Sequence, residues 1–251
     1  MLLRLRQGIL FVKKEKNSIA RQSKKKHAHD YVSYVDKESE KKIVTRLKEL
    51  LPEAGFIAEE GSGTLNDEQY CWLVDPLDGT TNFIHDNAPY CVSIALRSKK
   101  ELLLGVVYEI CRNECFWTYK GAPSYLNGNE IHVSAISNLD DSFIALGFPY
   151  ATEEYKPMAN HLVNTLYGNV AGLRLMGAAA VELCYIAAGR FEARIEAFIG
   201  PWDIAAGTII LQNAGGMITD FKGGDSYSSG SQVLASNGRI HRDLLNIIDN
   251  L

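Results

Sequence analysis

The chain has 251 residues, 46% of them hydrophobic, and a formal net charge of −4. That length buries one large core or two closely packed subdomains, and the acidic balance, with basic residues gathered near the amino end, gives no general attraction to nucleic acid. No uncharged apolar stretch approaches the roughly 18 residues of a membrane span, and Arg4 and Arg6 interrupt Met1 to Val12 without a small-residue cleavage site, so a soluble cytoplasmic protein is expected, with no membrane attachment.

Asp36 opens a segment whose apolar positions Ile43, Val44, Leu47, Leu50 and Leu51 recur at three and four residues until Pro52, which predicts an amphipathic helix. Apolar runs at Phe56 to Ala58, Tyr70 to Val74, Tyr90 to Leu96, Leu102 to Tyr108 and Cys115 to Tyr119 predict the strands of a sizeable sheet. Asn127-Gly128 signals a hairpin, because both central residues of that turn need positive φ. Helices are then expected at Pro157 to Tyr167, Ala178 to Ala188, Asp203 to Ala214 and Arg239 to Ile248. Strands are expected between them at Leu173 to Met176, Phe191 to Ile195 and Gly216 to Phe221. The change of texture divides the chain into an α+β subdomain over 1–150 and an α/β subdomain over 151–251, with Gly223 to Ser231 an exposed connection. The five cysteines are odd in number and scattered through apolar runs, so free and mostly buried thiols are expected. No Cys or His spacing completes a zinc site, and His27, His29 and His85 are read as surface or core.

The chemistry concentrates where an apolar strand runs into Asp75-Pro76-Leu77-Asp78-Gly79-Thr80-Thr81-Asn82. Asp-Pro-x-Asp-Gly is ordinary turn chemistry. It also sets two carboxylates and an intervening carbonyl where they can face a pair of hard cations. If Gly79 and Thr80 open a helix, their amides favour a phosphate oxygen. Glu59 and Glu60 follow another strand end, where the bland alternative is a solvated loop. Asp203 opens a helix of small residues, where capping alone would explain an aspartate.

Together, the glutamate pair, the DP-x-DGT-x-N-F element and the distal WD-x-AAG helix resemble the inositol monophosphatase family, and Asp36 and the Gly177 to Glu182 segment are similar to its remaining landmarks. The resemblance implies a five-layered α-β-α-β-α sandwich, a homodimer, two or three Mg2+ ions per site, Li+ sensitivity, and hydrolysis of a phosphate monoester by activated water. It places metal ligands on Glu59, Asp75, the Leu77 carbonyl, Asp78 and Asp203. It implies that Thr80 and Asp36 orient the attacking water while Glu59 holds a metal nearby, and that Lys25, in a basic loop at Lys24 to Lys26, assists. Gly79 and Thr80 would cradle the phosphate, Gly177, Ala178, Ala179 and Glu196 would meet the hydroxyl-bearing part, and Asp78 and Asp203 would also bind substrate. Only 35 residues precede Asp36, fewer than relatives often carry, so a truncated start is expected.

Thr81-Asn82-Phe83 favours inositol monophosphate over the same superfamily's alternatives: fructose 1,6-bisphosphate, 3'-phosphoadenosine 5'-phosphate or NADP. Glu196 argues the same way, as an acceptor for ring hydroxyls that would meet a second phosphate without a compensating cation. The alternative from another class is a non-catalytic metal- or ligand-binding protein. Its signature would be loss of a ligand among Glu59, Asp75, Asp78 and Asp203, and none is lost.

Overall fold

The computed structural model describes residues 24–27, 30–32, 34–63, 68–99, 101–149 and 152–249. A short antiparallel hairpin, β1 (Lys24–His27) and β2 (Asp30–Val32), precedes helix α1 (Tyr34–Leu50). One face of α1 is buried through Val35, Asp36, Ser39, Glu40, Ile43, Val44 and Leu47, the three-and-four spacing that lays a helix on a sheet.

That sheet has seven strands in chain order: β3 (Gly55–Ala58), β4 (Tyr70–Asp78), β5 (Cys91–Ser98), β6 (Leu102–Glu109), β7 (Glu114–Tyr119), β8 (Ser124–Leu126) and β9 (Asn129–Ile131). Only the β3–β4 pair is parallel; the rest is an antiparallel meander. Asn127 and Gly128 close the last hairpin with φ of 50° and 89°, the left-handed pair that such a turn requires. A five-residue helix, α2 (Thr80–Ile84), follows β4 and runs beside β2.

The second sheet has five strands in the order β11-β10-β12-β14-β13, built from β10 (Phe143–Gly147), β11 (Gly172–Arg174), β12 (Ala193–Ala197), β13 (Met217–Thr219) and β14 (Gln232–Ser236). The change of sheet falls between Ile131 and Phe143, ahead of the change of texture near residue 150. Helices α3 (Thr152–Leu166) and α6 (His241–Ile248) pack its outer face through Leu162, Leu166, Leu244 and Ile248. Between the sheets lie α4 (Ala179–Ala187), buried at all nine residues, and α5 (Pro201–Asn213), buried continuously from Ile204 to Leu211. Neither has a polar face, which suits a layer covered on both sides.

The five layers are therefore α1, the seven-stranded sheet, α4 with α5, the five-stranded sheet, and α3 with α6. Close approach across them requires glycine. A Cβ at Gly105 would lie 2.6 Å from the Ala206 carbonyl oxygen, and one at Gly207 would lie 2.7 Å from Leu183.

Several elements differ from the sequence expectations. Helix α3 begins ahead of Pro157, which lies inside it; both Pro157 and Glu153 are exposed, so the carbonyl that loses its helical donor faces water. Strands β10 and β14 were not expected, and Ser226–Ser229 within the Gly/Ser-rich connection forms a 3-10 turn. Lys24 to Lys26 stand in strand β1 rather than a loop, and the Lys25 side chain lies outside the described residues. The five cysteines, all among the described residues, form no disulfide; Cys71, Cys91 and Cys184 are buried, Cys111 exposed. Among the described residues no helix is long and apolar enough to cross a membrane.

Candidate active site

The expected Asp75 to Asp78 turn is instead the bulged end of β4. Asp75 pairs with Ser93 and Asp78 with Cys91, so β4 holds one more residue than β5 across that interval. Pro76 cannot donate to the ladder, and the bulge re-aims the carboxylates on either side of it. Asp75 turns one oxygen onto the Leu77 N–H at 2.9 Å. Asp78 accepts from the N–H groups of Ala179 at 3.1 Å and Ala180 at 2.8 Å, the first residues of α4. Gly79 follows at φ 88°, and a Cβ there would lie 3.0 Å from the Pro89 carbonyl oxygen and 3.3 Å from Ala178 Cβ. Chirality and space both select glycine.

Thr80 begins α2 with its hydroxyl 2.8 Å from Asp36 Oδ1 and 3.0 Å from the Leu77 carbonyl. One proton serves one acceptor at a time, and the buried carboxylate of Asp36 is the stronger. Asn82 donates to the carbonyls of Pro89 at 2.8 Å and Met176 at 2.7 Å, stapling α2 to the loop that leads into Gly177. At the third position of α5, Asp203 reaches back to the Gly200 N–H at 2.7 Å.

One cleft of about 370 Å³ is lined by Glu59, Asp75, Leu77, Asp78, Thr80 and Asp203 together with Gly177, Ala179, Arg194 and Glu196. Like charge is crowded among its aspartates. Burial, then the charges of Glu59, Asp78 and Asp203, holds the Asp75 carboxyl well above the usual carboxylate range. Burial and Asp203 push Asp78 up to about 7, against the Ala180 N–H and Arg194, which favour its ionised form. Cys91 Sγ lies 3.5 Å from Asp78 Oδ2, and burial raises its thiol, so it stands there as a neutral group and not a nucleophile.

Two of the expected substrate contacts are placed differently. The Ala179 N–H is committed to Asp78, and Ala178, 1% exposed, packs behind Gly79 instead of facing the cleft. The expectation that Glu196 lacks a compensating cation is overturned, because the Arg194 guanidinium is hydrogen-bonded to it. Three residues were missed. Glu40, fully buried, accepts from the N–H groups of Glu60 at 2.7 Å and Ser62 at 2.8 Å and so pins the loop after Glu59. Glu182 and Arg194 form a buried ion pair at 2.5 Å behind Glu196. Glu40 was findable: it shares α1's apolar stripe with Asp36, Ile43 and Leu47, where a carboxylate must have a partner.

The chain belongs to the inositol monophosphatase family, whose profile matches residues 5–250. It is 37% identical over 247 residues to the Nus factor SuhB of Escherichia coli K12, covering 97% of this chain and 92% of that one. Its fold matches the IMPase of Thermotoga maritima with a TM-score of 0.89 at 29% identity, over 98% and 94% of the two chains. It also matches a Staphylococcus aureus IMPase-II with inositol monophosphate bound, at a TM-score of 0.82 and 25% identity, over 97% and 89%.

Proposed function

We propose that this protein is a Mg2+-dependent phosphomonoesterase that hydrolyses inositol monophosphate to inositol and phosphate with water as the nucleophile. The observation that carries this reading is the gathering of Glu59, Asp75, Asp78, Asp203 and the Leu77 carbonyl around one cleft, with Thr80 and Asp36 beside them.

The donor set fits hard cations. It is all oxygen, crowded and partly desolvated, and the carboxylates raise one another's pKa where no cation offsets them. Among the described residues no three acidic, histidine or cysteine side chains enclose a single point. The family resemblance implies two or three Mg2+ ions, and Glu59, Asp75, Asp78, Asp203 and the Leu77 carbonyl are the residues that would hold them. When bound, such ions supply positive charge to the phosphoryl group and acidify the attacking water.

The chain's own residues do the positioning. With its proton on Asp36, the Thr80 hydroxyl presents lone pairs that accept from the attacking water and aim it at phosphorus. Asp36 is buried and fixed by α1, so the direction is set before substrate arrives. Gly79 brings the backbone close to the phosphate, and the first N–H groups of α2, which have no partners within the helix, point to its oxygens. The bond to the leaving oxygen breaks as the new P–O bond forms; the attacking water gives up a proton to solvent and the departing alkoxide takes one from it, so the protons balance. Glu196 accepts from a leaving-group hydroxyl, consistent with inositol monophosphate being the ligand of the Staphylococcus aureus relative.

The E. coli relative is named a Nus factor and not a phosphatase, which keeps a second, non-catalytic reading in view. Presence of every expected metal ligand favours catalysis. A homodimer is proposed from the family resemblance. Free thiols support a reducing, cytoplasmic setting. The test is phosphate release from inositol 1-phosphate, fructose 1,6-bisphosphate and 3'-phosphoadenosine 5'-phosphate, with Mg2+, with Mg2+ and Li+, and in chelator. Fastest, Mg2+-dependent and Li+-inhibited release from the inositol ester is expected. Release from none overturns the enzyme reading, and preference for a bisphosphate overturns the substrate alone.

A further inference from the structure

We propose that Arg194 is a specificity-determining residue at the leaving-group end of the cleft, where it fixes Glu196 and itself reads the adjacent hydroxyl group; this rests on the phosphatase reading above. Arg194 lies in β12, 2% exposed, and is among the largest fully buried side chains of the protein. A guanidinium so deeply placed must be paired, and it is. Its Nε donates to Glu182 Oε2 at 2.5 Å, and its Nη2 donates to Glu196 Oε2. Glu182 is itself anchored: it is fully buried on α4, and its other oxygen accepts the Gly177 N–H at 3.0 Å.

Arg194 and Glu196 are two residues apart on one strand, so their side chains share a face. On the far side of Glu196 is Gly147 of β10, where a Cβ would fall 2.3 Å from the Glu196 carboxyl carbon. Glu196 is thus confined between a glycine backbone and a guanidinium that is held from behind by α4. One of its oxygens is taken by Arg194, and the other can accept a hydroxyl proton from the leaving group.

A second observation points to a ligand. Nη1 of Arg194 is buried and has no hydrogen-bond partner among the described residues, and Arg194 lines the cleft. A buried charged donor without an acceptor is costly. A hydroxyl oxygen next to the one that donates to Glu196 would supply that acceptor. Acceptor and donor side by side match a vicinal diol, whose neighbouring hydroxyls can donate and accept in turn. The substrate class is therefore the phosphates of polyols with adjacent hydroxyls, in preference to phosphates of simple alcohols or phenols. Arg194 also reduces the local charge of Glu182 and Glu196 from two negatives to one, so an anionic substituent is repelled less than by a free glutamate.

The experiment compares kcat/KM for inositol 1-phosphate with that for p-nitrophenyl phosphate, which carries no hydroxyl. The proteins are wild type, Arg194→Met, Arg194→Lys, Glu196→Gln and the double variant Arg194→Met/Glu196→Gln. Arg194→Met should lower the ratio about tenfold, the scale of one hydrogen bond to a charged group, mainly through KM for the inositol ester. Arg194→Lys should restore part of it, and the double variant should lose less than the two single losses combined, because Arg194 both fixes that carboxylate and donates to the neighbouring hydroxyl. Arg194→Met leaves Glu182 buried without its counter-ion, so Glu182→Gln/Arg194→Met is made alongside; Gln keeps an acceptor for Gly177 without the charge. An unchanged ratio in the folded variants, or full additivity in the double variant, overturns the inference and leaves the phosphatase reading intact. No hydrolysis of either ester by wild type overturns the phosphatase reading, and the inference with it.

Discussion

Withdrawing divalent cations and raising the pH should loosen this protein through Asp78. In the unfolded chain that carboxyl titrates near 3.8, and in the fold, through burial and then the charge of Asp203, near 7. Between those values the folded state holds the proton more tightly than the unfolded state, so stability falls as pH rises through the window and the penalty is absent below it. At 1.36 kcal/mol per pH unit the gap corresponds to about 4 kcal/mol at full ionisation. Asp75 is pushed the same way and adds to it. Bound cations reverse the sign, since they favour the ionised form. The assay is thermal unfolding with Mg2+ and with chelator, at about pH 5 and about pH 8. For a chain of this length roughly 2–4 °C accompany each kcal/mol, so the Mg2+-induced rise in Tm should be larger at the higher pH by up to about 10 °C. Taking the difference between the two metal conditions cancels titrations elsewhere in the molecule. A Mg2+ effect of equal size at both pH values would refute the carboxylate crowding on which the metal assignment stands.

Asp203→Asn should lower kcat by about two orders of magnitude or more, the scale of one lost electrostatic stabiliser, while Asn Oδ1 still accepts the Gly200 N–H. Phosphate release with circular dichroism checks both halves, and near-normal turnover in a folded variant refutes the role. Glu40→Gln removes one of the two acceptors that pin the loop after Glu59, so half-maximal activity should require about tenfold more Mg2+, read from a Mg2+ titration; an unmoved midpoint would show that the loop holds without it. His241, 3% exposed, is held down to about 4 by burial, so it folds neutral and is charged in the unfolded chain at low pH. Stability from this group is complete above about 6.5 and falls by about 3 kcal/mol as pH drops towards 4. His241→Gln should flatten that part of a urea-midpoint series, and an unchanged slope would count against it.

What was legible in the sequence is what lies close together along it. Asp75, Leu77 and Asp78 carry their meaning in one contiguous element, and the stripe of α1 is periodic enough to be read without a structure. The Thr80 to Asp36 hydrogen bond joins residues 44 positions apart, and only resemblance to a family suggested that they meet. Strands β10 and β14 escaped because each is a five-residue run without alternation, buried by helices on both sides of its sheet. Pro157 misled because its place at a helix start is the common one, and the exposed early turn of α3 tolerates it further in.

The partners of Glu196 were illegible for a different reason, and the difference changes the functional argument. Arg194 and Glu182 are charged residues within apolar runs, and nothing in ARIEA or AAVELCYIA says which charge finds which. Read alone, Glu196 is a free carboxylate that repels a second phosphate, and that repulsion was the reason to expect poor bisphosphate hydrolysis. Read with Arg194, it is a neutralised and fixed acceptor, so repulsion no longer decides the ranking. Geometry takes its place. A ligand that fits two directed groups gains from both, whereas one that brings only charge meets a cluster with a single net negative charge and an acceptor it cannot donate to. The preference for inositol monophosphate is therefore retained on hydrogen-bond complementarity and not on like-charge exclusion. It is expected to persist at high salt, where a preference built on repulsion would fade. Measuring the kcat/KM ratio of inositol 1-phosphate to fructose 1,6-bisphosphate across a salt series separates the two causes, and a ratio that collapses as ionic strength rises would return the argument to electrostatics.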